Sequence, residues 1–119
     1  MGIKKRLVFF ITLILLTSTF ISSAQGSILQ FSVAYNVQES GKVNVLENIL
    51  YDFGNQQRHG IYRSIQVITT NEEGKDYKIG LEDINVQNHQ YTIQKTRNDI
   101  TTKIGDPNKT ITGKNLYPI

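Results

Sequence analysis

Phe31, Val33, Tyr35 and Val37 alternate with Ser32, Ala34, Asn36 and Gln38, and the alternation returns through Val43, Val45, Ile49, Tyr51 and Phe53. A period of two places successive side chains on opposite faces of an extended strand, so the stretch is committed to a half-buried β-hairpin. Glu39-Ser40-Gly41-Lys42 supplies its turn, with Gly41 free to take positive φ. Further along, Ile61, Ile65 and Val67 share parity, and Asn71 to Lys75 closes that run as a turn. Tyr77, Ile79 and Leu81 read as a strand, followed by the short runs Ile84–Val86 and Tyr91–Ile93. After a turn at Thr96–Asp99, Ile100 and Ile104 alternate with polar neighbours. Gly105-Asp106-Pro107-Asn108 is a further turn signal, since proline presets its own φ. No segment after residue 24 sustains the 3.6-residue apolar period of a helix. Short strands divided by Gly, Asn and Asp turns predict an all-β, antiparallel sandwich.

The first residues follow a different logic. Lys4, Lys5 and Arg6 precede an apolar run from Leu7 to Ile21, and Ser22-Ser23-Ala24 puts small residues where signal peptidase reads them. This predicts a cleavable signal peptide over residues 1–24 and an exported domain over residues 25–119. The alternative is an uncleaved anchor, but a spanning helix needs roughly 20 apolar residues and this run is shorter. Removing Lys4, Lys5 and Arg6 leaves 10 of the 13 basic residues against 10 acidic ones, so the exported part is formally neutral. That leaves no electrostatic case for nucleic acid, which would need a basic face. Cysteine is absent, which excludes a disulfide framework, a thiolate metal site and a cysteine nucleophile. Burial alone must therefore hold the domain together, which leaves little margin at this size.

Two charges fall inside the apolar pattern. Glu47 shares parity with Val45 and Ile49, and Arg63 shares parity with Ile61 and Ile65. An unpaired buried charge costs several kcal/mol, so both must be paired or solvated. One reading is a bidentate hydrogen bond to Glu47 from Arg63 or from Arg58, fixing the register of neighbouring strands. The other is a β-bulge that turns Glu47 out to water. Gly60, just before Ile61 and Tyr62, predicts a tight turn into the strand. His59 and His89 lie among polar neighbours and read as loop residues.

Catalytic signatures are missing. No serine sits in a G-x-S-x-G elbow, and Ser64 has no evident base. There is no H-E-x-x-H pair or EF-hand loop, so no metal or other cofactor is expected. Glu82 and Asp83 would face opposite sides of a strand and cannot act as a carboxylate pair. Asn108-Lys109-Thr110 is a glycosylation sequon, relevant only in a host that glycosylates.

Three blocks in order carry a resemblance. They are Ser40 to Phe53, Arg58-His59-Gly60-Ile61-Tyr62-Arg63-Ser64-Ile65, and Ile104 to Gly113 with its Gly105-Asp106-Pro107 turn. Together they resemble the N-terminal region of the DUF2207 predicted membrane proteins of the YciQ-like type, over most of Phe31 to Ile119. Gln66 stands where the family usually has proline. The resemblance implies an extracytoplasmic β domain followed by membrane-spanning helices, and it implies architecture rather than an activity. Leu116-Tyr117-Pro118-Ile119 falls where the family continues a strand, so the chain is expected to be a fragment. Pro118 predicts an edge or irregular strand.

The expectation is thus an immunoglobulin-like, non-enzymatic domain of a membrane protein with a structural or protein-interaction role. Glu47, Arg58 and Arg63 form its charged core, and Gly60, Ile61 and Tyr62 shape the motif. The alternative is a secreted module that binds an envelope glycan or envelope protein through exposed tyrosines. An envelope hydrolase has no motif behind it.

Overall fold

The computed structural model describes residues 25–119; the expected signal peptide lies outside them. Eight strands follow in chain order: β1 (Ser27–Val37), β2 (Val43–Asp52), β3 (Ile61–Gln66), β4 (Ile68–Thr70), β5 (Asp76–Lys78), β6 (Tyr91–Lys95), β7 (Asp99–Ile104) and β8 (Lys114–Pro118). All pairing is antiparallel, and no helix occurs among the described residues. One sheet has the order β1-β2-β8, a second β3-β7-β6, and β4 and β5 form a small ribbon.

The expected hairpin forms, with Phe31 opposite Ile49, Val33 opposite Glu47 and Tyr35 opposite Val45. Its turn is closed by the Gly41 amide donating to the Gln38 carbonyl at 2.9 Å, with Gly41 at φ 82°. The single register shift between β1 and β2 lies between Ile28 and Gln30, so no bulge rotates Glu47 outward. β8 adds to the other edge of β2, pairing Tyr117 with Ile49.

The core lies between the two three-stranded sheets. Ile49 of β2, Tyr117 of β8 and Ile104 of β7 are buried together with Phe53 and Val86, and Ile61 and Tyr91 pack against them. Alternation explains why β7 reads intermediate-buried throughout, with Ile100, Thr102 and Ile104 inward.

Two expectations need correction. The strand predicted through Tyr77, Ile79 and Leu81 stops at Lys78. β4 offers only three rungs and Gly80 follows, although the Ile79 amide still donates to the Val67 carbonyl at 2.8 Å. Ile84–Val86 forms no strand; Val86 enters the core, and the Gln87 amide donates to the Pro118 carbonyl at 3.0 Å.

A further correction concerns the hairpin face. Phe31, Tyr35, Val37, Val43 and Val45 are exposed, and of the four alternating apolar residues of β1 only Val33 is partly covered. Past Glu47 the hairpin is a two-stranded ribbon: β8 pairs with β2 only as far as Asn48 opposite Pro118, its last backbone bonds reach Glu47, and no third strand flanks residues 43–46 among the described residues.

Candidate functional site

Glu47 and Arg63 meet between the two sheets. Arg63 donates from Nε to Glu47 Oε2 and from Nη2 to Oε1, both at 2.7 Å, a fork-to-fork pair. Its third nitrogen, Nη1, donates to the Ser64 carbonyl, and the guanidinium carbon lies 5.9 Å from the centre of the Phe31 ring. The Glu47 side chain is 11% exposed and that of Arg63 29%. The hydrogen bond to Glu47 holds the arginine pKa above its ordinary value, burial opposes this, and the charge of Glu47 adds to the rise. Along β2 the pair marks a boundary: Ile49 is buried on one side of it and Val45 is exposed on the other.

Arg58 is not part of this pair. It lies before Gly60, outside β3, and its backbone is bridged to Ile111 by two hydrogen bonds of 3.0 and 2.8 Å. Its exposed side chain donates from Nη2 to Gln56 Oε1 at 3.1 Å. The charged core expected of three residues is therefore a pair plus a separate surface arginine.

Gly60 and Gly105 sit face to face beyond the last β3–β7 rung, Ile61 opposite Ile104. Their φ angles are 147° and 136°. A Cβ on Gly60 would lie 1.8 Å from the Ile104 carbonyl oxygen, and one on Gly105 would lie 1.8 Å from that of His59. Only two glycines let these backbones cross so closely. Just after the crossing the turn falls one residue later than expected, over Asp106 to Lys109, where Pro107 takes the second position and Asp106 Oδ1 accepts the Asn108 amide at 2.8 Å.

Two depressions flank the crossing. One, of about 350 Å³, is lined by Arg58, His59, Tyr62, Lys103 and Pro107 around the two glycines. The other, of about 310 Å³, contains His59, His89, Asp106, Lys109, Asn115 and Tyr117. Each histidine spends one ring nitrogen on a backbone carbonyl: His59 Nδ1–H donates to Lys109 at 3.0 Å and His89 Nε2–H to Leu116 at 2.8 Å. Ser64 Oγ bonds Thr101 Oγ1 at 2.7 Å. Among the described residues no group of three His, Asp or Glu side chains could hold a metal ion. Nothing in the sequence singles out Lys103; its place opposite Tyr62 follows only from the pairing of β3 with β7.

Tyr117 is fully buried against the His89 ring, at 4.7 Å between centroids, and its hydroxyl has no hydrogen-bond partner. Burial pushes its pKa up to about 12. A phenol raised in this way contributes stability fully below its ordinary value of 10.0 and loses it as pH rises through about 12. Tyr117→Phe removes an unpaired buried hydroxyl, so at pH 7 it should match or exceed wild-type stability, by up to about 1 kcal/mol. Urea melts at pH 9 and 11 should show a smaller loss in the variant. Equal losses would contradict this account of Tyr117.

The family profile described as "Predicted membrane protein (DUF2207) N-terminal domain" matches residues 27–115, three-quarters of the chain and every strand but the last few residues of β8. The chain belongs to this family. No curated protein and no solved structure matches it. The DUF2207 match spans the Glu47–Arg63 pair, the glycine crossing and the whole of the uncovered hairpin. No helix of the DUF2207 domain is long and apolar enough to cross a membrane among the described residues.

Proposed function

We propose that this DUF2207 domain is an extracytoplasmic, non-enzymatic, immunoglobulin-like β-sandwich that serves its membrane protein as a structural and protein-interaction element. Two three-stranded sheets sharing one core support the sandwich reading, and the charge and apolar pattern of residues 1–24 supports export.

The observation that carries the interaction role is the overhanging hairpin. Tyr35, Val37, Val43 and Val45 form an exposed apolar face beyond the Glu47–Arg63 pair, on the same side of the hairpin as buried Ile49. The edge beside it is also open. Glu47 and Ile119 exchange hydrogen bonds of 3.0 and 2.9 Å, the last rung that the β8 side gives β2. Val45 and Val43 point their N–H and C=O groups the same way, and no described residue pairs with them. An open edge beside an apolar face suits an extended protein segment with apolar residues at alternate positions, added as a further strand. Exposed Tyr35, Tyr62 and Tyr77 lie in three different sheets, which gives a glycan platform no comparable support.

A photo-crosslinking side chain at Tyr35 in the intact membrane protein tests this reading, with one at Lys95 as the control. The expected product is a protein adduct at Tyr35, mapped to an extended apolar segment, and none at Lys95. Adducts only to glycan, or equal labelling at both positions, would overturn the interaction role.

A further inference from the structure

The cation-lined depression at the glycine crossing is independent of the hairpin. Arg58, His59 and Lys103 line it, with Ile61, Tyr62, Ile104 and Pro107 as apolar walls around the two glycines, and no carboxylate lines it. The two salt bridges among the described residues are Lys42–Glu82 and Arg63–Glu47, so neither Arg58 nor Lys103 has an acidic partner. Asp106 belongs to the neighbouring depression, where it accepts the Asn108 amide.

Both cations project from fixed backbone. Arg58 is pinned by its double bridge to Ile111, and Lys103 lies within β7 with its ammonium 5.7 Å from the Tyr62 ring centre. The Gly60–Gly105 crossing is what brings them to one depression, because it lays the Arg58–His59 segment across the end of β7. Two like charges held around one concavity repel each other unless an anion lies between them. Of the five guanidinium donors, only one bond of the Arg58 side chain is described, that to Gln56.

We infer that this depression binds a phosphoryl group. A planar guanidinium offers a fork that matches phosphate oxygens, and an ammonium adds a compact point charge. The pair carries a formal charge of plus two, which matches a phosphate monoester at about −1.5 to −2 better than a single carboxylate. At about 350 Å³ the space holds a phosphate with a small attached group. The phosphoryl group is either that of a free phosphate ester or that of a lipid headgroup.

The full chain should be titrated with inorganic phosphate and with phenyl phosphate, following the amide resonances of Gly60, Lys103 and Gly105. A parallel arm measures co-sedimentation with vesicles containing phosphatidic acid, against neutral vesicles. Saturable shifts with the soluble phosphates indicate a free ester, and retention on the acidic vesicles alone that is lost in Arg58→Ala and Lys103→Ala indicates a headgroup; either supports the site. Arg58→Ala and Lys103→Ala should each weaken binding about tenfold, with Arg58→Lys in between. Thermal melts confirm that these variants fold. Absence of saturable binding in both arms, or binding unchanged in both alanine variants, would overturn the inference.

Discussion

Arg63→Ala is expected to destabilise the domain by about 3–5 kcal/mol, because it strands the Glu47 carboxylate in the core. Glu47 is 8% exposed as a residue, and both of its carboxylate oxygens are committed to Arg63. Glu47→Ala should cost less, about 1–3 kcal/mol. The guanidinium left behind is partly exposed and keeps its bond to the Ser64 carbonyl, so it can be solvated. For a domain of this size a loss of 3 kcal/mol lowers Tm by roughly 12 °C or more. The asymmetry is the informative part. Replacing both residues by well-packed apolar ones should recover much of the loss, since a buried pair fixes geometry more than it adds stability. Chemical denaturation of the three variants checks this, and equal small effects would mean that the pair is solvated in solution.

Gly60→Ala and Gly105→Ala form the second large effect, each expected to cost about 3 kcal/mol or more. A new Cβ would overlap a carbonyl oxygen 1.8 Å away at either position, in a backbone region that side chains rarely adopt. The obstacle is main chain rather than a side chain that can turn aside. The double variant should cost clearly less than the sum, because one displacement relieves both clashes. Additive losses, or a near-neutral melt for either single variant, would contradict the crossing.

The hairpin and the antiparallel, helix-free character were legible in the sequence because a period of two over Phe31–Phe53 leaves few alternatives. Parity also singled out Glu47 and Arg63 as charges in apolar positions. It did not separate Arg63 from Arg58, since that depends on where β3 begins and on the Arg58–Ile111 bridge, a contact between residues far apart in the chain. The glycine crossing was half legible: Gly60 implied a tight turn, but its partner Gly105 emerges only from the β3–β7 register. Residues 79–90 misled for a physical reason. Short apolar runs there supply single core contacts such as Val86 rather than a paired strand.

The exposure of Tyr35, Val37, Val43 and Val45 could not be read from alternation, which reports that a strand has an apolar face and not what covers it. Coverage depends on what packs on that face and beside it. Here β8 ends at the Glu47 rung, and the hairpin continues past it as a two-stranded ribbon. The same apolar residues that predict a buried sheet thus become the exposed surface on which the proposed interaction rests.

Amide hydrogen exchange at Val43 and Val45 tests that proposal most directly, compared between this chain alone and the intact membrane protein. The account predicts rapid exchange of both amides in the isolated chain, with Ile49 protected by its pairing to Tyr117. In the intact protein both valine amides should become protected, as an added strand takes up the open edge. Rapid exchange at Val43 and Val45 in both settings would show the edge unoccupied and contradict the account.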